Sequence, residues 1–453
     1  MHQVILTRLF VDLRIPILLN HLEKAGAMSL WKKLTINFLI LILAVTGSDC
    51  LMAQRLNESS VGITIPTQQQ LGLYDLERVW WGQATVDPHR DKIVHLSIDE
   101  INLYALSTAG IITAFNNETG KKLWATQLGR GNNIGYAPVS NSKYVYITVG
   151  TKLYAIDRLN GEIDWELQLP GSASTSPTVD EDAIYVGTLS GRMYAWDLKK
   201  LNELSNEGKL PAWRESAIRW TYQTGDTINT PAIVTNRTLL FASQDGSLYS
   251  VTLQDRQLAF QFETDAPISA SLAEEGKSLF LASEDQNLYC LNLLNGTVRW
   301  RIRSSFPLVY PVSVLDKDVY LSSKKNGLFQ LSAQTGQEHW WQPLGSRFIS
   351  LSPTRVYATD EIGNLLVLSR TDGAVLSAVP LRKYQVKLMN EQTDRIFCSS
   401  ESGIILCLKQ KDLPFPIRFK NQDKYPILPD IAPEPAAKDV QSDAAANGDN
   451  TDN

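Results

Sequence analysis

Between Trp80 and Lys411 the apolar residues come in short alternating runs, such as Ala183-Ile184-Tyr185-Val186, broken at close intervals by Asp, Asn, Ser and Gly. Alternation bounded by turn formers predicts β-strands, and no stretch of this region keeps a helical period. The pattern also repeats. Leu153 to Trp165 reads LYAIDRLNGEIDW and is echoed by LYCLNLLNGTVRW ending at Trp300, and more weakly by segments ending at Trp124 and Trp340. Each copy has an upstream half, for example APVSNSKYVYITVG before Leu153 and TPAIVTNRTLLFASQDG before Ser247.

Aligning the turns before the best-preserved strand places Gly110, Gly150, Gly191, Gly246, Asn287, Gly327, Gly363 and Gly403 in near-equivalent positions. That gives about eight units with a period of about 40, enough for four short antiparallel strands and their turns. Such a unit cannot bury both faces by itself, so units must stack, and radial stacking closes a ring that protects the strand edges. The expected fold is all-β: an eight-bladed β-propeller of four-stranded antiparallel blades, with seven blades as the alternative. Eight requires the strand around Trp80 to complete the last unit.

The repeat assigns roles to its recurring residues. Trp80 or Trp81, Trp124, Trp165, Trp220, Trp300 and Trp340 are expected to wedge between neighbouring blades with the indole N–H on a backbone carbonyl, Phe260 substituting once. Gly120, Gly161, Gly296 and Gly336 supply the positive φ of the adjoining hairpin turns. Asp157 and Asp197 begin such turns and read as capping residues, not catalysts. Cys290 and Cys407 fall in a slot filled elsewhere by Ala114, Ala155, Ala195 and Ser250, so they read as buried thiols. Cys398 and Cys407 lie on two strands of one hairpin; a disulfide between them is the minor reading.

Composition narrows the function. Hydrophobic residues make up 43%, with 11 Trp, 16 Tyr and 13 Phe, ample for a packed core. The net charge of −5 and the lack of a basic stripe argue against nucleic acid as a partner. At the N-terminus, Trp31-Lys32-Lys33 precedes the apolar run Leu34 to Val45 and then Ala53, the layout of a secretory signal, with Met28 as an alternative start. Residues 1–53 are therefore expected to be a signal peptide or anchor, 54–70 a linker, 71–420 the propeller, and 421–453 a disordered acidic, Pro- and Ala-rich tail. Export to the periplasm, cell envelope or exterior follows. Membrane association would come only through the N-terminal segment, if uncleaved or lipidated; Cys50 follows Gly47-Ser48-Asp49, a poor lipobox.

Ala155, Asp157, Gly161 and Trp165 resemble the Ala-x-Asp-x-x-x-Gly-x-x-x-Trp blade motif of the quinoprotein-type, or PQQ-like, β-propeller repeat family. The resemblance covers roughly Trp80 to Lys411. One branch of that family implies a dehydrogenase with bound quinone and Ca²⁺, commonly with adjacent cysteines; this chain has no vicinal cysteines and no acidic–amide cluster spaced as a Ca²⁺ cage. The other branch, the non-catalytic BamB-like members, implies a scaffold that binds polypeptides during outer-membrane β-barrel assembly. Size, blade count and export favour it, while the weak lipobox and acidic tail depart from it.

The expectation is thus a non-enzymatic exported scaffold with other envelope polypeptides as partners and with no catalytic, cofactor-binding or metal residues. A PQQ/Ca²⁺-dependent oxidoreductase is one alternative; a ligand-sensing or carbohydrate-binding propeller is another. His89, His95 and His339 occupy unrelated repeat positions, no Gly-x-Ser-x-Gly motif occurs, and Asp87-Pro88-His89-Arg90-Asp91 reads as a turn. The insertion Leu198 to Arg219, charged and with room for one short helix, contains Trp213, the first candidate for a partner contact.

Overall fold

The computed structural model describes residues 63–129 and 134–420. The chain divides into two compact units, 1–65 and 66–453, and the second carries the fold. The expected signal segment and the acidic tail lie outside the described residues.

Eight four-stranded antiparallel sheets succeed one another around a ring. Blades 1 to 7 span 93–127, 139–168, 178–223, 233–263, 273–303, 313–342 and 347–379. Blade 8 has three strands of its own, Val386–Lys387, Ile396–Ser399 and Ile404–Gln410, and takes its outermost strand, Leu76–Gln83, from the start of the unit. First strand against last thus closes the ring, and the alternative of seven blades does not hold. The inner strands of blades 1 and 8 lie against each other across the seam.

Burial follows position in the blade. The second strand of blade 2, Tyr144–Val149, is buried along its whole length because it packs on neighbours through both faces. The outermost strand, Ile163–Gln168, buries only Trp165 and Leu167. This is why the central strands are continuous apolar runs while the outer strands alternate.

The tryptophans act between blades. The indole N–H of Trp80 donates to the carbonyl of Asn117 at 2.8 Å, that of Trp124 to Arg158 at 3.0 Å, that of Trp220 to Leu253 at 2.7 Å and that of Trp340 to Arg370 at 3.0 Å. Each acceptor lies in the following blade. Trp80, not Trp81, is the wedge of blade 8, for Trp81 points outward and is 50% exposed. Trp165 differs: its N–H finds the side-chain Oδ1 of Asn202 at 2.9 Å, because the blade 3 insertion replaces the usual turn. Phe260 takes the wedge position in blade 4, and blade 7 has Ser377 there, a second replacement in the series.

Opposite each wedge stands the slot residue of the third strand: Ala114, Ala155, Ala195, Ser250, Cys290 and Cys407 face Trp124, Trp165, Trp220, Phe260, Trp300 and Trp80. In these six blades a large ring faces a small residue across the ladder, which accounts for both cysteines. Blades 6 and 7 place Gln330 and Val367 in the slot. Cys398 pairs with Leu406 and Cys407 with Phe397, so strand alternation sends the two side chains to opposite faces, and all three described cysteines are free. Burial raises the thiol of Cys398 to about 12.

Three local expectations change. In blade 5 the left-handed turn residue is Gln286, at φ 73°, whereas Asn287 already begins the strand. The end of the segment read as a linker is a helical turn, Gln68–Gly72, closed by a capping box between Thr67 and Gln70 and burying Leu71. Gln68 exchanges two hydrogen bonds with the backbone of Arg78 and so covers part of the outer edge of the closing strand. The insertion holds more than one short helix: Leu198–Asn206, Leu210–Trp213 and a 3₁₀ turn Arg214–Ala217, docked through Leu201, Leu204 and Leu210.

Candidate functional site

The meander gives the ring two distinct ends. At one, the turn between the second and third strands of a blade hydrogen-bonds to the connection leading to the next blade. Leu128 N donates to Gly110 O at 2.8 Å, Thr224 N to Gly191 O at 2.8 Å and Thr264 N to Gly246 O at 2.9 Å. This loop end is held by backbone, so side chains displayed on it stand on a rigid base. It exposes Ile134, Leu189, Phe306, Leu344 and Ile362. Each sits at a loop or turn of that end, and together they make a discontinuous apolar rim.

Between these residues the loop end is polar. Gln244 Nε2 donates to Ser269 Oγ at 3.0 Å and Ser269 in turn to Glu284, linking blades 4 and 5. A cavity of about 300 Å³ among blades 6, 7 and 8 is lined by Tyr310, Arg347, Asp360, Glu361 and Lys387. The Arg347 guanidinium lies 5.4 Å above the Tyr310 ring. Lys387 is largely buried, and burial lowers its ammonium. Its Nζ donates to the carbonyls of Gly363, Leu381 and Tyr384 at 2.8, 3.2 and 2.6 Å, which fixes the connection from blade 7 to blade 8. All three of its protons are committed, so it is a structural cation and not a nucleophile.

The opposite, turn end carries the inter-strand turns. Asp157 Oδ1 accepts from the backbone N–H of Leu159 and Asn160, and Asp197 caps the helix Leu198–Asn206 through Lys200 N while pairing with Arg219 at 2.9 Å. Both side chains are occupied as caps. Trp213 is on this end of blade 3 and 62% exposed, so it is free to touch a partner but is not brought together with the apolar rim. The Asp87 to Asp91 segment is a turn in which Asp87 O accepts from Asp91 N at 2.8 Å.

A quinone–calcium site would need convergent oxygen donors. Among the described residues no group of three or more His, Cys, Asp or Glu could hold a metal ion, and His95 and His339 lie in different blades. Among the same residues no helix is long and apolar enough to cross a membrane.

The family model described as outer membrane protein assembly factor BamB matches residues 108–261 and 244–396. A curated relative of that name from Yersinia pestis is 22% identical over 179 residues, which cover 35% of this chain and 41% of the relative, so the match spans less than half of that protein. Among solved structures, BamB from Moraxella catarrhalis shares a TM-score of 0.59 at 16% identity, covering 74% of this chain and 98% of that one. The computationally designed Ika8 protein gives 0.57 at 14% identity, covering 72% and 99%. At these identities the structures testify to the fold alone.

Ring closure, wedge series and repeat together define a PQQ-like eight-bladed propeller. Within that class, the chain belongs to the outer membrane protein assembly factor BamB family.

Proposed function

We propose that the chain is a non-catalytic scaffold of the cell envelope that docks other polypeptides through the apolar rim of its loop end, in the outer-membrane protein assembly for which its relatives are named. The rim is the observation that carries this reading. Leu189, Phe306, Leu344 and Ile362 are exposed on turns and connections of one end, close to backbone hydrogen bonds that hold that end, and Ile134 is exposed beside them. Anchors on a rigid base also lose little entropy on binding.

Photo-cross-linking from position 306 or 362 of the full chain in its native cells tests the proposal. Discrete polypeptide adducts are expected from the rim and not from Lys209 on the turn end. No adducts from the rim, or adducts from position 209 equal to those from the rim, overturns it. The reading includes no quinone and no calcium: titration with pyrroloquinoline quinone and Ca²⁺ is expected to leave the absorbance spectrum additive, and a saturable change would favour an oxidoreductase instead.

A further inference from the structure

Beyond the loop rim, the turn end holds a second binding arrangement that is already filled. After its last strand the chain does not leave the propeller. Residues 413–420 turn back across the mouth of the ring, where Thr393 and Arg418 form an antiparallel bridge. Asp394 N donates to Ile417 O at 3.1 Å, Phe419 N to Gln392 O at 2.8 Å and Ile417 N to the Asp394 carboxylate at 2.9 Å. The segment is thus added as a short strand to the connection 388–395 of blade 8, which is braced on both neighbouring blades: Asn390 N reaches Ile349 O of blade 7 at 2.7 Å, and Gln392 Nε2 reaches Ile98 O of blade 1 at 3.1 Å.

Phe419 and Lys420 are among the side chains that hold the added strand. Phe419 packs against the apolar cluster of blades 6 and 7 that includes Leu315 and Met389, and Lys420 pairs with Glu391. Beyond them remains a cavity of about 330 Å³ bordered by Glu274, Glu275 and Asp316 of blades 5 and 6. Burial raises the Glu274 carboxyl and the nearby Lys420 opposes that shift. The approach to this strand is tied at Leu413, whose carbonyl accepts from Lys409 Nζ at 3.0 Å. Pro414 and Pro416 carry no N–H and keep it extended, and Phe415 is exposed. Addition of an extended segment to a free backbone edge, with pockets for alternate side chains, is a general mode of peptide capture.

We propose that the turn-end mouth is a peptide-binding site occupied in cis by Ile417–Lys420, and that a partner polypeptide offering an extended segment with an aromatic residue followed by a cation competes for it. The chain's own segment is tethered, at an effective concentration on the order of millimolar, so the site is closed until a competitor of matching chemistry is abundant or itself tethered nearby.

The test uses the full chain and a fluorescent synthetic peptide with the sequence of Leu413 to Gln422. Wild-type protein is expected to bind it weakly. The Lys420→Glu chain, whose altered residue is only partly buried and outside every blade, is expected to bind at least about tenfold more tightly, with faster amide exchange at 391–395. Adding Glu391→Lys to that chain restores the cis pair and is expected to return binding to the wild-type level. A peptide carrying Phe419→Ala is expected not to bind. Equal peptide affinity of wild-type and Lys420→Glu chains, or unchanged exchange at 391–395, overturns the proposal. Failure of the loop-rim cross-links leaves this outcome unaffected, since the two sites lie at opposite ends.

Discussion

The indole of Trp124 lies on Gly161 so closely that a Cβ added to that glycine would stand 2.5 Å from the ring carbon Cδ2. The same contact recurs between Trp80 and Gly120, Phe260 and Gly296, Trp300 and Gly336, and Trp340 and Gly373. These five wedges each meet a glycine of the next blade that combines a left-handed φ with a missing side chain. Gly208 separates them, having a φ of 65° but nothing within 4 Å of an added Cβ. Gly208→Ala is expected to cost about 1 kcal/mol from backbone strain alone, and Gly161→Ala about 2–4 kcal/mol because the blades must also part. Urea unfolding of the two variants checks the order; equal losses would show that the wedge contact is dispensable.

The repeat made most of the architecture legible, because wedge, turn glycine and small slot residue are local consequences of one packing contact. Where the contact is replaced, the pattern falls silent. Ser377 carries no trace of a wedge, and Arg256 adopts the glycine's role at φ 60° in the turn that receives Trp220. The loop rim was not legible: Ile134, Leu189 and Ile362 look like strand-end residues until the ring brings their loops to one end. Nor was the return of residues 413–420 to the mouth, since two prolines and a few apolar residues have no period to read.

At the blade 2–3 junction an amide replaces the usual backbone acceptor, and this exposes the wedge to a side-chain mutation. Asn202→Ala leaves the indole N–H of Trp165 without its partner, 4% exposed and away from water. A loss of about 1–3 kcal/mol is expected by thermal unfolding. Trp165→Phe in the Asn202→Ala background is expected to cost less than Trp165→Phe in the wild type, since the orphaned donor is then gone. Additive losses would count against the bond.

His95, on the inner strand of blade 1, gives stability a dependence on acid. Burial lowers its imidazole, only partly offset by its hydrogen bond to the Gly135 backbone. The unfolded chain takes up this proton before the folded one does. The stabilising share of His95 is therefore complete above the unfolded value of about 6.5 and is lost as pH falls through the window beneath it. The stability difference between wild type and His95→Gln is expected to shrink between about pH 7.5 and about pH 5. A constant difference across that range would show that His95 does not change its charge cost on folding.

Arg158 and Asp99 join blades 1 and 2 through a buried pair at 2.9 Å, with side-chain exposures of 12% and 7%. Asp99 also accepts from Tyr104 OH at 2.7 Å, from Ser140 Oγ at 2.9 Å and from the backbone N–H groups of Ile101 and Asn102 at 2.9 and 2.6 Å, so its carboxylate is held from both blades. Burial and the Asp99 charge together push the Tyr104 hydroxyl far up, which keeps it a donor at every accessible pH. The same device recurs where Arg370 of blade 7 reaches Asp316 and Asp318 of blade 6 at 2.7 and 3.5 Å. Arg158→Met strands the Asp99 charge and is expected to destabilise by about 3–5 kcal/mol. Asp99→Asn added to it removes that charge while keeping most of the hydrogen bonds, so the double variant is expected to be more stable than Arg158→Met alone. Urea unfolding of the four-member cycle decides the matter: a double variant less stable than both singles would mean that the guanidinium acts by packing, and that the charge pair is incidental to how the blades are held.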